Sequence, residues 1–121
     1  MNKADAIKRI NDRLGTAALH DKNTHFSNVT VYGADEGWWL KIPFLTFKQE
    51  LHFILNNEKT KSFQHLMVNP NQILSPGMKF RSSDGAADAF MSAANPKRLV
   101  DSLQGGSKYN FTKHFVNDYR H

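Results

Sequence analysis

Two histidines and a glutamate are the residues best equipped here for acid–base or metal chemistry. His52 and His65 sit in two runs, Leu51 to Asn56 and Ser62 to Val68, that read as the arms of a β-hairpin around the polar turn Asn57-Glu58-Lys59-Thr60. A four-residue loop there sets Leu51 opposite Leu66, Phe53 opposite Gln64 and Leu55 opposite Ser62. The same register sets His52 opposite His65, Ile54 opposite Phe63 and Glu50 opposite Met67. Directly opposed strand residues bring their side chains within contact, so the two imidazoles are placed to share a proton or a divalent ion, with Glu50 on the same face. His52, His65 and Glu50 are therefore the candidate metal ligands, and a metal-dependent hydrolase or nuclease is the enzyme they would make. Weighed against this, paired histidines on a half-exposed strand face are more often incidental than catalytic.

The second group is aromatic and basic. Phe26 to Gly33 and Gly37 to Pro43 read as a further hairpin, with Ala34-Asp35-Glu36-Gly37 as its loop. That loop pairs Gly33 with Trp38, Val31 with Leu40 and Val29 with Ile42, and on the other face Tyr32 with Trp39 and Thr30 with Lys41. Successive strand residues point to opposite faces. One face is then aliphatic with Trp38, and the other carries Tyr32, Trp39, Thr30 and Lys41. A one-residue slip would mix the two. Tyr32, Trp39, Lys41 and, after the hairpin, Lys48 form the candidate binding surface: rings stack on bases and lysines neutralise phosphate. Burial of the rings under a helix, or in a subunit interface where Trp and Tyr are enriched, are the competing expectations.

Other motifs carry less. Gly105-Gly106-Ser107-Lys108 looks like a fragment of a phosphate loop, but it follows a predicted helix instead of opening one, and is read as a helix stop. His20 and His25 flank a loop at no recognised ligand spacing and receive no role. No serine sits in a nucleophile-elbow pattern.

Composition bounds these readings. The chain has 121 residues and no cysteine, which excludes disulfides, thiolate metal sites and cysteine nucleophiles. One domain spanning 1–121 is expected, large enough to bury a core. Sixteen Lys and Arg against eleven Asp and Glu give a formal net charge of +5, a balance that favours acidic partners. No apolar run is long enough to span a bilayer and no leader is seen at the N-terminus. A soluble, cytoplasmic protein is expected, with no membrane partner and no cofactor.

The elements that position these groups follow from the rest of the chain. Ile7, Ile10 and Leu14 form one stripe and predict a helix over residues 2–14, capped by Asn2 and stopped by Gly15. Residues 44–49 join the hairpins. Met78 to Arg81 alternates as a short strand. Residues 86–94 fit strand or helix and are read as strand. Asn95-Pro96 predicts a helix start, with Leu99, Val100 and Leu103 as its buried stripe. Phe111, Phe115 and Tyr119, at spacing four, suit a terminal helical segment or a docked tail. The expected fold is α+β: a mainly antiparallel sheet of four to five strands built from two successive hairpins, with an N-terminal helix and a helix near the C-terminus. The expected function is a small non-enzymatic binding domain. Nucleic acid is the first candidate partner, and a homo-oligomeric or protein-interaction module is the alternative.

Overall fold

The computed structural model describes residues 1–121. Its strands are β1 (Thr24–Tyr32), β2 (Asp35–Pro43), β3 (Leu51–Asn57), β4 (Ser62–Val68), β5 (Arg81–Ser83), β6 (Ala86–Ser92) and β7 (Phe115–Arg120). They form one seven-stranded mixed sheet in the order β5-β6-β2-β1-β3-β4-β7. Two helices accompany it, α1 (Lys3–Leu14) and the single turn α2 (Pro76–Lys79). No helix is long and apolar enough to cross a membrane. The α+β class is as expected; the strand count, the mixed pairing and the C-terminal third are not.

The first hairpin closes more tightly than its loop residues suggested. Gly33 adopts a left-handed φ of 61°, which suits a two-residue turn. Tyr32 then pairs with Asp35 and Val29 with Trp38, not with Ile42. The second hairpin also slips, pairing Leu51 with Val68 and Ile54 with His65. There Asn57 Oδ1 accepts from the Lys59 and Thr60 amides at 3.0 and 3.3 Å, and Lys61 takes the left-handed conformation. These contacts draw Asn57 into the strand as its closing pair with Ser62. Both slips are by an even number of residues, so every side chain keeps its expected face.

The larger correction is the centre of the sheet. The two hairpins are joined through β1 and β3, which run parallel with Phe26 beside Ile54. The turn 44–48 makes this possible by crossing the sheet with Phe47 in the core. The N-terminal half of β1 pairs with β3 and only its C-terminal half, from Val29, pairs with β2. Between Thr24–Asn28 and Trp39–Pro43 the sheet therefore splits. Ser27 Oγ bridges part of the gap by donating to the Trp39 carbonyl at 2.9 Å.

The first face buries Trp38, Leu40, Ile42, Phe53 and Leu66 beneath Phe47, Phe80, Leu99 and Phe111. Trp38 donates its indole Nε1–H to the Asn56 carbonyl at 2.9 Å, which satisfies a buried polar atom. The second face is covered only in part. Helix α1 is capped by Asn2, whose side chain accepts from the Asp5 amide, and ends at Gly15 with φ 71°. It lays Ala6 and Ile10 over Ile54, Phe63 and Tyr119, on the β3–β4–β7 half. Leu14, expected in the stripe, is exposed.

After β6 the chain forms no long helix. Asn95 caps one turn, accepting from the Lys97 amide through its side chain and from the Arg98 amide through its carbonyl. The segment then runs extended beside β6, with Met91 bridged to Asp101. Buried Asp101 explains the choice: its carboxylate accepts from the Phe90, Leu103 and Ser107 amides and the Ser107 hydroxyl at 2.7–3.1 Å. A helix would leave the edge amides of β6 without partners. Asp101→Ala is expected to cost about 2 kcal/mol or more in chemical denaturation, because it orphans buried donors, while Asp101→Asn retains part of that stability. The terminal segment also corrects the helical expectation. It is a 3-10 turn (Phe111–His114) followed by β7, so Phe115 is exposed while Phe111 and Tyr119 are buried. The open edge of β7 is blunted: Asn117 Oδ1 accepts from the Asp118 amide and Arg9 donates to the Arg120 carbonyl at 2.8 Å.

Candidate nucleic-acid interface

The uncovered part of the second face lies on β1, β2 and β6, beside the N-terminal end of α1. Tyr32, Trp39 and Phe90 meet there, with centroids 5.6 Å (Tyr32–Trp39), 5.1 Å (Tyr32–Phe90) and 6.3 Å (Trp39–Phe90) apart. Phe90 is buried and the other two are half-buried. The rings converge because Gly37, between them on β2, has no side chain; Phe90 occupies the space a Cβ would need. The Tyr32 hydroxyl accepts from the Gln104 amide at 3.1 Å, which holds that ring against the 101–107 loop.

Beside the rings, the split between β1 and β2 opens a depression of about 460 Å³. Trp39 and Phe26 give it aromatic walls, and Lys3, Lys41 and His25 also line it. Both lysines pair with exposed carboxylates: half-buried Lys3 with Asp21 at 2.9 Å, where it also donates to the Asp21 carbonyl at 2.9 Å, and Lys41 with Asp84 at 3.4 Å. Such pairs are weak enough to exchange for a phosphate. Burial, helped by the Lys3 charge, lowers the His25 pKa below its ordinary value. Its ring packs against Phe53 with centroids 5.7 Å apart, and its Nε2 is buried without a hydrogen-bond partner. Of the expected binding residues, Tyr32, Trp39 and Lys41 are brought together. Lys48 sits on the 3-10 turn 44–48 and is not in the lining. Lys3, Phe26, His25 and Phe90 were not anticipated. Only the parity of Phe26 within β1 hinted at its face.

His52 and His65 are in contact, diagonally instead of directly opposed. Their rings stack at 5.1 Å, and His52 Nδ1 lies 2.8 Å from His65 Nε2, one donating and the other accepting. Both are 1 % exposed, on the face that α1 covers. Glu50 lies 3.7 Å from the opposite nitrogen of His52. The three groups form a line instead of enclosing a point, and no group of three or more His, Asp or Glu side chains is placed to hold a metal ion. Burial depresses both histidines, His65 to about 4, with the neighbouring His52 adding to its shift. At neutral pH the pair is an uncharged hydrogen-bonded unit in the packing between helix and sheet. His52 Nε2 and His65 Nδ1 remain without hydrogen bonds.

No protein-family model matches the chain, and neither the curated proteins nor the solved structures searched contain a match.

Proposed function

We propose that this chain is a small non-enzymatic binding domain whose partner is single-stranded nucleic acid, held at the split between β1 and β2. One observation carries the reading: a half-buried tryptophan walls an open depression that two lysines also line. A base stacks on Trp39, and the flanking phosphates take Lys3 and Lys41 from their carboxylate partners. Stacking tolerates any base, and the net charge of +5 adds long-range attraction.

The test is titration with a short single-stranded oligonucleotide, followed by tryptophan fluorescence. Trp38 is buried and Trp39 half-buried, so quenching reports on Trp39. Two phosphate contacts predict that log K falls with log salt at a slope of about −1.4. Trp39→Ala is expected to lose about 1–3 kcal/mol of binding. An affinity indifferent to salt, or no binding to DNA or RNA, removes nucleic acid as the partner.

One observation favours the alternative, a protein-interaction module. Leu45, Leu74 and Met78 are 77 %, 66 % and 89 % exposed on and next to two adjoining turns, 44–48 and α2. Lys48 and Lys79 lie on the same turns. The like charges disfavour a second copy there, so an acidic protein surface is the partner this patch fits. Light scattering that shows self-association at high concentration would contradict that assignment.

A further inference from the structure

On the opposite side of the sheet, the first face opens into a cleft of about 810 Å³ between β4, β7 and the segment around Lys97. That volume is typical of small-molecule sites. On this face of β4 the apolar residues Val68 and Leu66 give way to Gln64 and Ser62 toward the start of the strand. Their partners on β7 are Asp118 and Arg120. Opposed residues share a face, so these four polar side chains stand together on the cleft side. Lys97, Leu99 and Phe115 are also in the lining.

Four features mark the cleft as more than a surface irregularity. Neither Lys97, Arg120 nor Asp118 has an ion-pair partner within the chain, although cations and a carboxylate line the same space. Phe115 leaves a ring 45 % exposed. The strand that presents these groups is fixed from behind: Tyr119 stacks on Phe63 at 4.8 Å and 7°, and Arg9 holds the Arg120 carbonyl. Gln64 donates its Nε2–H to the Pro96 carbonyl at 3.2 Å, which ties the cleft's two walls together and leaves its side-chain oxygen to accept.

We propose that this cleft binds a mononucleotide. Arg120 and Lys97 supply the cationic clamp that a phosphate requires. A carboxylate beside that clamp would repel a bare dianion, but it suits a ligand that also offers hydroxyl donors, as a ribose does to an acidic residue in dinucleotide sites. Phe115 provides the face on which the base stacks. The site lies on the other face from Trp39 and does not depend on the reading given to that surface.

Calorimetry with the full chain tests this, using AMP, UMP, adenosine, ribose 5-phosphate and inorganic phosphate as separate ligands. Both nucleotides are expected to bind. Removing the phosphate or the base weakens binding by about tenfold or more, the worth of about 1.4 kcal/mol. Lys97→Gln and Arg120→Gln each weaken AMP by a similar factor. Phe115→Ala weakens AMP while leaving ribose 5-phosphate unchanged. Lys97, Phe115 and Arg120 are exposed positions, and circular dichroism checks that each variant stays folded. No heat from either nucleotide at millimolar concentration overturns the proposal. So does AMP binding that survives both charge substitutions, or ribose 5-phosphate binding as tightly as AMP.

Discussion

Replacing Gly37 by alanine is expected to unfold the β2–β6 half of the sheet, or to lower global stability by at least about 3 kcal/mol. Gly37 is buried, and its backbone dihedrals are ordinary for a strand, so the cost is one of space alone. An added Cβ would overlap the Met91 carbonyl oxygen and stand 2.7 Å from Phe90 Cζ. The ring could swing aside. The carbonyl cannot, because the backbone that bears it is pinned in register by Gly37–Ser92 and Trp38–Met91 pairing. Urea denaturation measures the loss. The same substitution pushes Phe90 away from Tyr32 and Trp39, so the fluorescence of half-buried Trp39 is expected to change even if the fold survives at low temperature. A Gly37→Ala protein within about 0.5 kcal/mol of the parent would show that β2 and β6 do not approach this closely.

The second large effect is a loss of stability in mild acid, centred on His52 and His65. Burial holds His65 at about 4, against about 6.5 in the unfolded chain. Above pH 6.5 both states are neutral and stability is complete. As pH falls from 6.5 to 4 the unfolded chain takes up the proton first, so stability declines through that window and levels off below it. For His65 the loss is on the order of 3 kcal/mol. His52 is depressed in the same direction by burial, although the nearby Glu50 carboxylate opposes the shift. His25 and His114 are also lowered by burial and add to the slope. The double variant His52→Leu/His65→Leu isolates the pair, because His25 and His114 remain in it. Replacing both partners of a buried hydrogen bond by apolar groups is tolerated far better than replacing one. The double variant is therefore expected to fold at pH 7.5 and to lose much less stability than the parent between pH 6.5 and 4. Equal slopes in the two proteins would show that the pair is not buried uncharged beneath α1.

The two predictions draw on different kinds of information. Alternation alone told which side chains share a face: Trp38, Leu40 and Ile42 on one, Tyr32, Trp39 and Lys41 on the other, and His52 with His65. It survived two errors of register because each was an even slip. The caps of α1 were also legible, since Asn2 and Gly15 act through contacts within a turn of themselves. What failed were expectations built on local signals where distant partners compete. Asn95-Pro96 does cap a turn, but Asp101 and the open edge of β6 draw the next residues into an extended path. Phe111, Phe115 and Tyr119 have helical spacing, yet β4 offered an unpaired edge and Phe115 to Arg120 became its partner strand.

Composition and periodicity by themselves determined the basic, cysteine-free character of the chain, the presence of two hairpins and the division of their side chains between two faces. These follow from bonding geometry between neighbours along the chain. Only the tertiary structure decided that β1 and β3 lie parallel, that the sheet parts beside Trp39, that α1 shelters the histidines but not the aromatic group, and that Arg120 and Lys97 line one cleft. Each of these depends on which backbone edges remain unpaired once the hairpins have formed, and on which apolar face a segment can cover. Both are settled by contacts between residues far apart in sequence, which no local pattern records.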